Sequence, residues 1–366
     1  MQHPRRTQHK FLLIKFIWFE SLLLQGTLVE RSEISDLPFL SSSEPAMGLL
    51  TNSNIDVYKK STDNLLGYMP VSALTGYTSV TGNVGSLENK GIELTLTTAN
   101  IKGKQFSWTT LLNASYNKNK LTNVTSAINT TLGDVRIYQS YVKGYAAYSV
   151  FAYKYMGLDE EGDPRIGLKD GTTTKTSYTA ATDDIPYKGT TQPVINGGLT
   201  NVFTFRSWTL SANAVFSLGH VMRREVNQLF TGNPLHGVLT GNFHQEFANR
   251  WKQPGDEQRT NIPGYVSDTY TSYSRRDVNY YIYGDVNVIS AAYAKLRDIS
   301  LSYSLPAFIL KKLHASQIQL RTQVSNIMLW KANKYGIDPE FQDANNGLQT
   351  MPVGQKAFTV GINAKF

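Results

Sequence analysis

"KAFTVGINAKF", residues 356–366, closes the chain, and its alternation decides the fold. Phe358, Val360, Ile362, Ala364 and Phe366 are apolar, while Ala357, Thr359, Gly361, Asn363 and Lys365 are small or polar. A period of two is that of a strand with one greasy face and one wet face.

The same design recurs upstream. "NKGIELTLTT" (89–98) sets Ile92, Leu94 and Leu96 against Glu93, Thr95 and Thr97. A tight "ANIKGK" turn then leads into "QFSWTTLLNASYNKNK", with Phe106, Trp108, Thr110, Leu112, Ala114 and Tyr116 on one face. The pair reads as a hairpin. "GLTNVFTF" (198–205) and "WTLSANAVFSLG" (208–219) are joined only by Arg206 and Ser207. "YAKLRDISLSYSL" (293–305) alternates until Pro306, which cannot extend a paired strand. "SNIDVYKKST" (53–62) and "SQIQLRTQVSN" (316–326) complete the clear strands. "GYAAYSVFAYKYMG" (144–157) also alternates, and reads as a lipid-facing strand with an aromatic girdle. A weaker strand is expected between residues 162 and 173, after the turn "DEEGDP".

Soluble sandwiches alternate too, so the connections decide between a core and lipid. Those near 99–104, 157–162, 206–207 and 306–315 are short; those near 62–85, 119–145, 173–195, 220–290 and 329–355 are long. Short turns on one rim and long loops on the other mark an antiparallel transmembrane β-barrel, which closes on an even number of strands, here about ten. The all-β fold then has long extracellular loops, short periplasmic turns and a periplasmic C-terminus. Trp108, Leu112, Phe216, Leu301 and Ile362 should face lipid; Thr109, Asn113, Ser217, Ser300 and Asn363 should face the lumen.

Composition narrows the function. The chain has no cysteine, which excludes disulfides and thiolate metal sites. Its formal charge of +8 is scattered and forms no nucleic-acid module, so no nucleic-acid partner is expected. The histidines at 3, 9, 220, 236, 244 and 314 have no catalytic or metal spacing, and no enzyme activity, metal or cofactor is expected. "DEEGD" (159–163) lacks the ligand spacing of a calcium loop and reads as a polar turn. The long stretch 220–290 carries Trp251, Tyr265, Tyr270, Tyr273 and Tyr280 among amides and charges, a composition suited to stacking on a sugar, contacting a partner, or folding the loop on itself.

From about residue 51 to the end, the chain resembles the C-terminal barrel part of SusC/RagA-type TonB-dependent outer-membrane transporters. The resemblance is carried, in order, by "GNVGSLENKGIELTL", "FSWTTLLNASYNKNKL", "NRWKQPGD", "YAKLRDISLSYSLP", "SNIMLWKANKYGIDPE" and "KAFTVGINAKF". It implies import of oligosaccharide or peptide nutrients across the bacterial outer membrane and a SusD-like surface lipoprotein over the loops. It also implies energy from the TonB complex through a plug. The terminal strand, with Phe358, Val360, Ile362 and Phe366, would be the element read by the barrel-assembly machinery, and outer-membrane lipid would surround the wall. Plugged transporters of this kind have 22 strands, so about ten strands suggest a fragment. Residues 1–50 match no family block; "FLLIKFIWFESLLL" (11–24) after a basic start has the outline of a signal peptide, broken by Lys15 and Glu20. They form an unassigned segment expected to make no lasting contact with the strands of 51–366. A non-transporting structural or adhesive barrel and a soluble all-β binding protein are the alternative readings.

Overall fold

The computed structural model describes residues 11–12, 29–33, 49–70, 79–125, 133–176, 181–226, 245–266, 275–341 and 356–366. Eight long strands form its framework: β1 (Leu49–Pro70), β2 (Ser79–Lys102), β3 (Phe106–Val124), β4 (Ile195–Phe205), β5 (Trp208–Leu218), β6 (Tyr293–Ser304), β7 (Gln317–Lys331) and β8 (Ala357–Lys365). Each pairs antiparallel with its neighbour in chain order, giving an open meander. Phe11–Leu12 and Val29–Glu33 lie along β1, which raises the sheet to ten strands. That pairing differs from the expectation of no contact between residues 1–50 and the strands.

Two expected strands are absent from this sheet. β3 pairs directly with β4, so residues 144–157 and 162–173 do not span the wall. Both belong to a folded insertion between β3 and β4. The middle of the supposed lipid face of 144–157 is buried there: Phe151 is fully buried, and Ala147, Ser149 and Tyr153 are nearly so, while Tyr145 is exposed. Tyr148, with φ 58°, and Gly144 and Gly157, with φ 90° and 84°, interrupt the extended backbone that a long strand needs. Removing two strands together leaves the alternation of the connections intact. β2–β3, β4–β5 and β6–β7 are joined by short links on one rim, and β3–β4, β5–β6 and β7–β8 by long ones on the other. β1 and β2 stay paired out to Pro70 and Ser79, so residues 62–70 and 79–85, expected in a loop, are strand.

The register sorts side chains as the alternation predicts. Leu112 lies opposite Leu199, which lies opposite Ala214; Leu210 opposes Leu301, and Ile362 opposes Leu320. Cross-strand partners share a face. Leu199, Trp208, Leu301 and Ile362 on that face are exposed, with Ile362 at 71%, whereas Ser300, Ser302 and Lys295 on the opposite face are buried. Apolar outside and polar inside is the reverse of a soluble core, and it is what a wall in hydrocarbon requires. Near the short-link rim Trp108 stacks on Phe203 and Trp208 meets Tyr303 at 4.5 Å, forming an aromatic band. Two cross-strand glycines sit beneath rings. Tyr58 covers Gly91, where a Cβ would lie 2.5 Å from the phenol oxygen, and Phe216 covers Gly197.

The core of the molecule is not in the sheet. Ile137, Phe151, Tyr153, Ile166, Ile185 and Tyr280 pack into one cluster, and Val226, Ile262 and Tyr281 into a second. Tyr280 of the β5–β6 insertion (219–292) sits in the first cluster and Tyr155 of the β3–β4 insertion (125–194) packs on the second, so the described parts of the two long loops fold as one body at the long-loop rim.

Candidate functional site

The turn 159–163 ties the two insertions together. Asp159 Oδ1 accepts the backbone N–H groups of Glu161 and Asp163 at 3.0 and 2.8 Å, which closes the turn. The carboxylates of Asp159, Glu161 and Asp163 converge to within 4.8 Å. The Lys175 ammonium sits among them at 2.7, 2.5 and 3.3 Å, while Arg275 and Arg276 reach Asp163 from the second insertion at 2.8 and 3.5 Å. Burial alone would raise the Asp159 carboxyl; the hydrogen bonds from Lys175 and the turn N–H groups outweigh it and hold it below the usual range. The cluster already holds a tethered cation and acts as a polar fastening.

Trp251 completes the junction. Its ring lies against Gly162, where a Cβ would come within 2.4 Å, and against Gly264, and its indole N–H donates to Glu257 at 3.1 Å. "NRWKQPGD" thus anchors one insertion to the other. Tyr280, expected among ligand contacts, is only 1% exposed; its ring meets Tyr153 edge-on and its hydroxyl donates to the Thr176 carbonyl at 3.0 Å. A side chain so enclosed cannot reach a ligand. Tyr265 is exposed, with its ring edge-on to Phe247. Tyr270 and Tyr273 lie outside the described residues. Phe358, Val360, Ile362 and Phe366 are all exposed, and Phe366 reaches 83%.

The arrangement also forms a cleft that the sequence did not suggest. An open cleft of about 790 Å³ lies between the polar face of β1–β4 and the β3–β4 insertion. Tyr58, Glu93, Asn117 and Asn196 contribute from the wall, and Tyr145, Tyr148, Tyr187 and Gln192 from the insertion. The insertion is held over the wall by hydrogen bonds from Leu121 N–H to the Tyr145 carbonyl (2.9 Å), Gly144 N–H to the Leu121 carbonyl (2.8 Å) and Ala147 N–H to Asn119 Oδ1 (2.7 Å). Tyr145 and Tyr187 stand with ring centroids 5.1 Å apart. The buried Asn117 Oδ1 has no partner among the described residues, and the Gln192 and Asn196 side chains add amide groups to the lining. Rings beside amide groups form a surface that can stack on, and hydrogen-bond to, a polar organic solute.

Further contacts bind the described start of the third long connection, residues 332–341, to the wall and to the β5–β6 insertion. Lys295 reaches Asp338 and Glu340 at 2.7 and 2.6 Å from the polar face of β6, and Arg297 also bonds Glu340. Burial would raise the Glu340 carboxyl; the hydrogen bonds of Arg297 and Lys295 hold it low. Arg224, bonded to Glu246 and Asn287, lies 4.2 Å from the Tyr335 ring.

An open antiparallel sheet, apolar outside and polar inside, with its folded loops gathered on one rim, is part of a membrane-spanning β-barrel. Comparison with known proteins agrees. No family model matches the chain. It is 22% identical to the TonB-dependent receptor P39 of Formosa agariphila, matching 86% of this chain and 34% of that receptor. It is 28% identical to the TonB-dependent receptor SusC of Bacteroides thetaiotaomicron over 52% of this chain and 19% of SusC. Its fold follows that of the RagAB peptide transporter, with a TM-score of 0.66 and 22% identity, covering 86% of this chain and 33% of the transporter chain. The chain is thus similar in sequence and fold to a SusC/RagA-type TonB-dependent transporter barrel, and it spans about a third of the length of the first relatives it matches.

Proposed function

We propose that this chain forms part of the wall and the outer vestibule of a bacterial outer-membrane transporter that imports oligosaccharide or peptide. Its C-terminus lies on the periplasmic side, and a SusD-like surface lipoprotein covers the long-loop rim. TonB drives the transport through a plug that works with this wall, and the barrel-assembly machinery reads the terminal strand. The observation that carries the reading is the inverted exposure of the sheet, with Leu301 exposed and its neighbour Ser300 buried, combined with an insertion held over the polar side. The cleft beneath the β3–β4 insertion is the place where a solute meets the wall.

The test is uptake of labelled oligosaccharides and peptides by cells carrying the chain within a complete transporter and its lipoprotein partner. Uptake should require TonB, and Asn117→Trp with Gln192→Trp, which fill the cleft, should lower it at unchanged outer-membrane level. Uptake indifferent to TonB would exclude energised import; uptake indifferent to the two tryptophans would remove the cleft from the path.

A further inference from the structure

The rim with the short links differs chemically from the rest of the molecule. Its stretches 99–106, 204–209, 303–318 and 363–366 contain Lys102, Lys104, Arg206, Lys311, Lys312 and Lys365, and no Asp or Glu. All six cations are exposed, and among the described residues none is in an ion pair. The links lie side by side: Arg206 N–H donates to the Gln105 carbonyl, Ser304 N–H to that of Ser207 and Ser316 N–H to that of Lys365, at 2.9, 2.9 and 2.7 Å. The cations therefore form one continuous row.

Directly inside the row lies the aromatic band. Trp108 stacks on Phe203, Trp208 lies tilted against Tyr303, and the Arg206 guanidinium stands 5.3 Å over the Phe205 ring. The β6–β7 link adds a short helix, Ala307–Lys312, which ends in Lys311 and Lys312 and leaves Phe308 66% exposed; Leu313 beyond it is 49% exposed. Aromatic rings mark the membrane–water boundary, and a cation one or two residues further on stands at the level of headgroup phosphates. A row of unpaired cations repels itself over the Debye length of about 8–10 Å, so it calls for anions from outside. Dissolved anions would meet the charge but not the apolar Phe308 and Leu313. A lipid surface meets both.

We propose that this rim is a binding belt for anionic phospholipid in the leaflet it faces. The six cations hold headgroup phosphates, and Phe308 and Leu313 enter the acyl region beneath. The proposal rests on the membrane reading above.

The chain has no cysteine, so Ser207→Cys places a single thiol on the rim and Leu329→Cys a single thiol toward the other end of β7. The full chain, carrying a fluorophore at either site, is placed in nanodiscs of phosphatidylcholine and phosphatidylglycerol, with bromine on one lipid at a time. At low salt the brominated phosphatidylglycerol should quench position 207 several-fold more than brominated phosphatidylcholine, since each cation near a charged surface contributes about fivefold. Position 329 should show no preference. Changing the six cations to Gln should bring the ratio at 207 to one. A label at Phe308→Cys should be shielded from aqueous iodide. Equal quenching at 207, a preference that survives the Gln changes, or a preference abolished by inorganic phosphate but not by chloride of equal ionic strength would each overturn the proposal. Full access of iodide to position 308 would overturn the apolar insertion. Absence of quenching by either lipid at both positions would instead overturn the membrane reading itself.

Discussion

Asn201 shows how a polar residue is kept on a face turned to lipid. Its Oδ1 accepts the Trp108 indole N–H at 3.0 Å and the Thr110 hydroxyl at 2.7 Å, and Thr110 in turn accepts from Asn100 at 2.6 Å. Where no water can replace a lost partner, each group must be satisfied by protein. Asn201→Ala leaves two donors without their acceptor and should cost about 1–3 kcal/mol in urea unfolding from lipid vesicles. Adding Trp108→Phe removes the orphaned indole N–H and should make the second loss smaller than in the parent background, whereas Thr110→Val would only pass the orphan on to the Asn100 amide; a single variant as stable as the parent would show that water reaches this face. The Asp159–Lys175 fastening gives a second prediction, of pH dependence. Asp159 is held below its unfolded value of about 3.9, so its contribution is complete above that value and is lost as pH falls through the folded one. For Lys175, burial lowers the ammonium pKa but its carboxylate hydrogen bonds raise it overall, so its share is present below its unfolded value, about 10.4, and is lost as pH rises through the folded one. Amide protection over 159–167 should therefore fall below about pH 4 before that of β3 does. Lys175→Met should move this acid limit upward, because the carboxylates lose their counter-ion. An unchanged limit would mean that Lys175 does not hold the turn.

At the scale of elements, strands and connections differed in how legible they were. Where a run of alternating residues continues past a two-residue or three-residue link, as at 106–116 and 208–218, period two identified both the strand and its faces. The register confirms that Trp108, Leu112, Phe216, Leu301 and Ile362 lie on one side. Residues 144–157 misled because short strands inside a folded insertion alternate as well. The sign against a lipid wall was present: Ala152, on the supposed wet face, is apolar, and it proves to be fully buried like Phe151 on the other. The role of Trp251 needed its distant partners Gly162 and Gly264, and no spacing in the sequence brings these together. The cleft was equally hidden, since Tyr58, Asn117 and Tyr187 come from three separate elements. Adjacent positions on β3 test the faces directly. Leu112→Arg should lower stability in vesicles by about 2–4 kcal/mol, and Asn113→Arg by much less. Equal penalties would place both positions in the same environment.

At the scale of the whole molecule, stability is divided unevenly. The folded insertions carry the buried clusters and the ion-pair networks, while the sheet has exposed apolar side chains on one face and, at β8, a strand paired on one side only. In water such a sheet exposes its greasy face; in lipid its unpaired edge leaves amide groups that cost several kcal/mol each. The insertions need no lipid, because their buried clusters and ion pairs form within and between them. The two parts should therefore respond differently to the same conditions. In detergent-free buffer, amides of the insertion core around Phe151, Ile166 and Tyr280 should remain protected, while those of β7 and β8 exchange or the sheets associate between chains. In a membrane, β8 should gain protection only when strands that cover its open edge are supplied on a second polypeptide. Hydrogen exchange read separately over 148–167 and 357–365, with and without those strands, decides the matter. Equal protection of β8 in both membrane samples would mean that the edge closes without outside strands, and the view of this sheet as part of a larger wall would then fail.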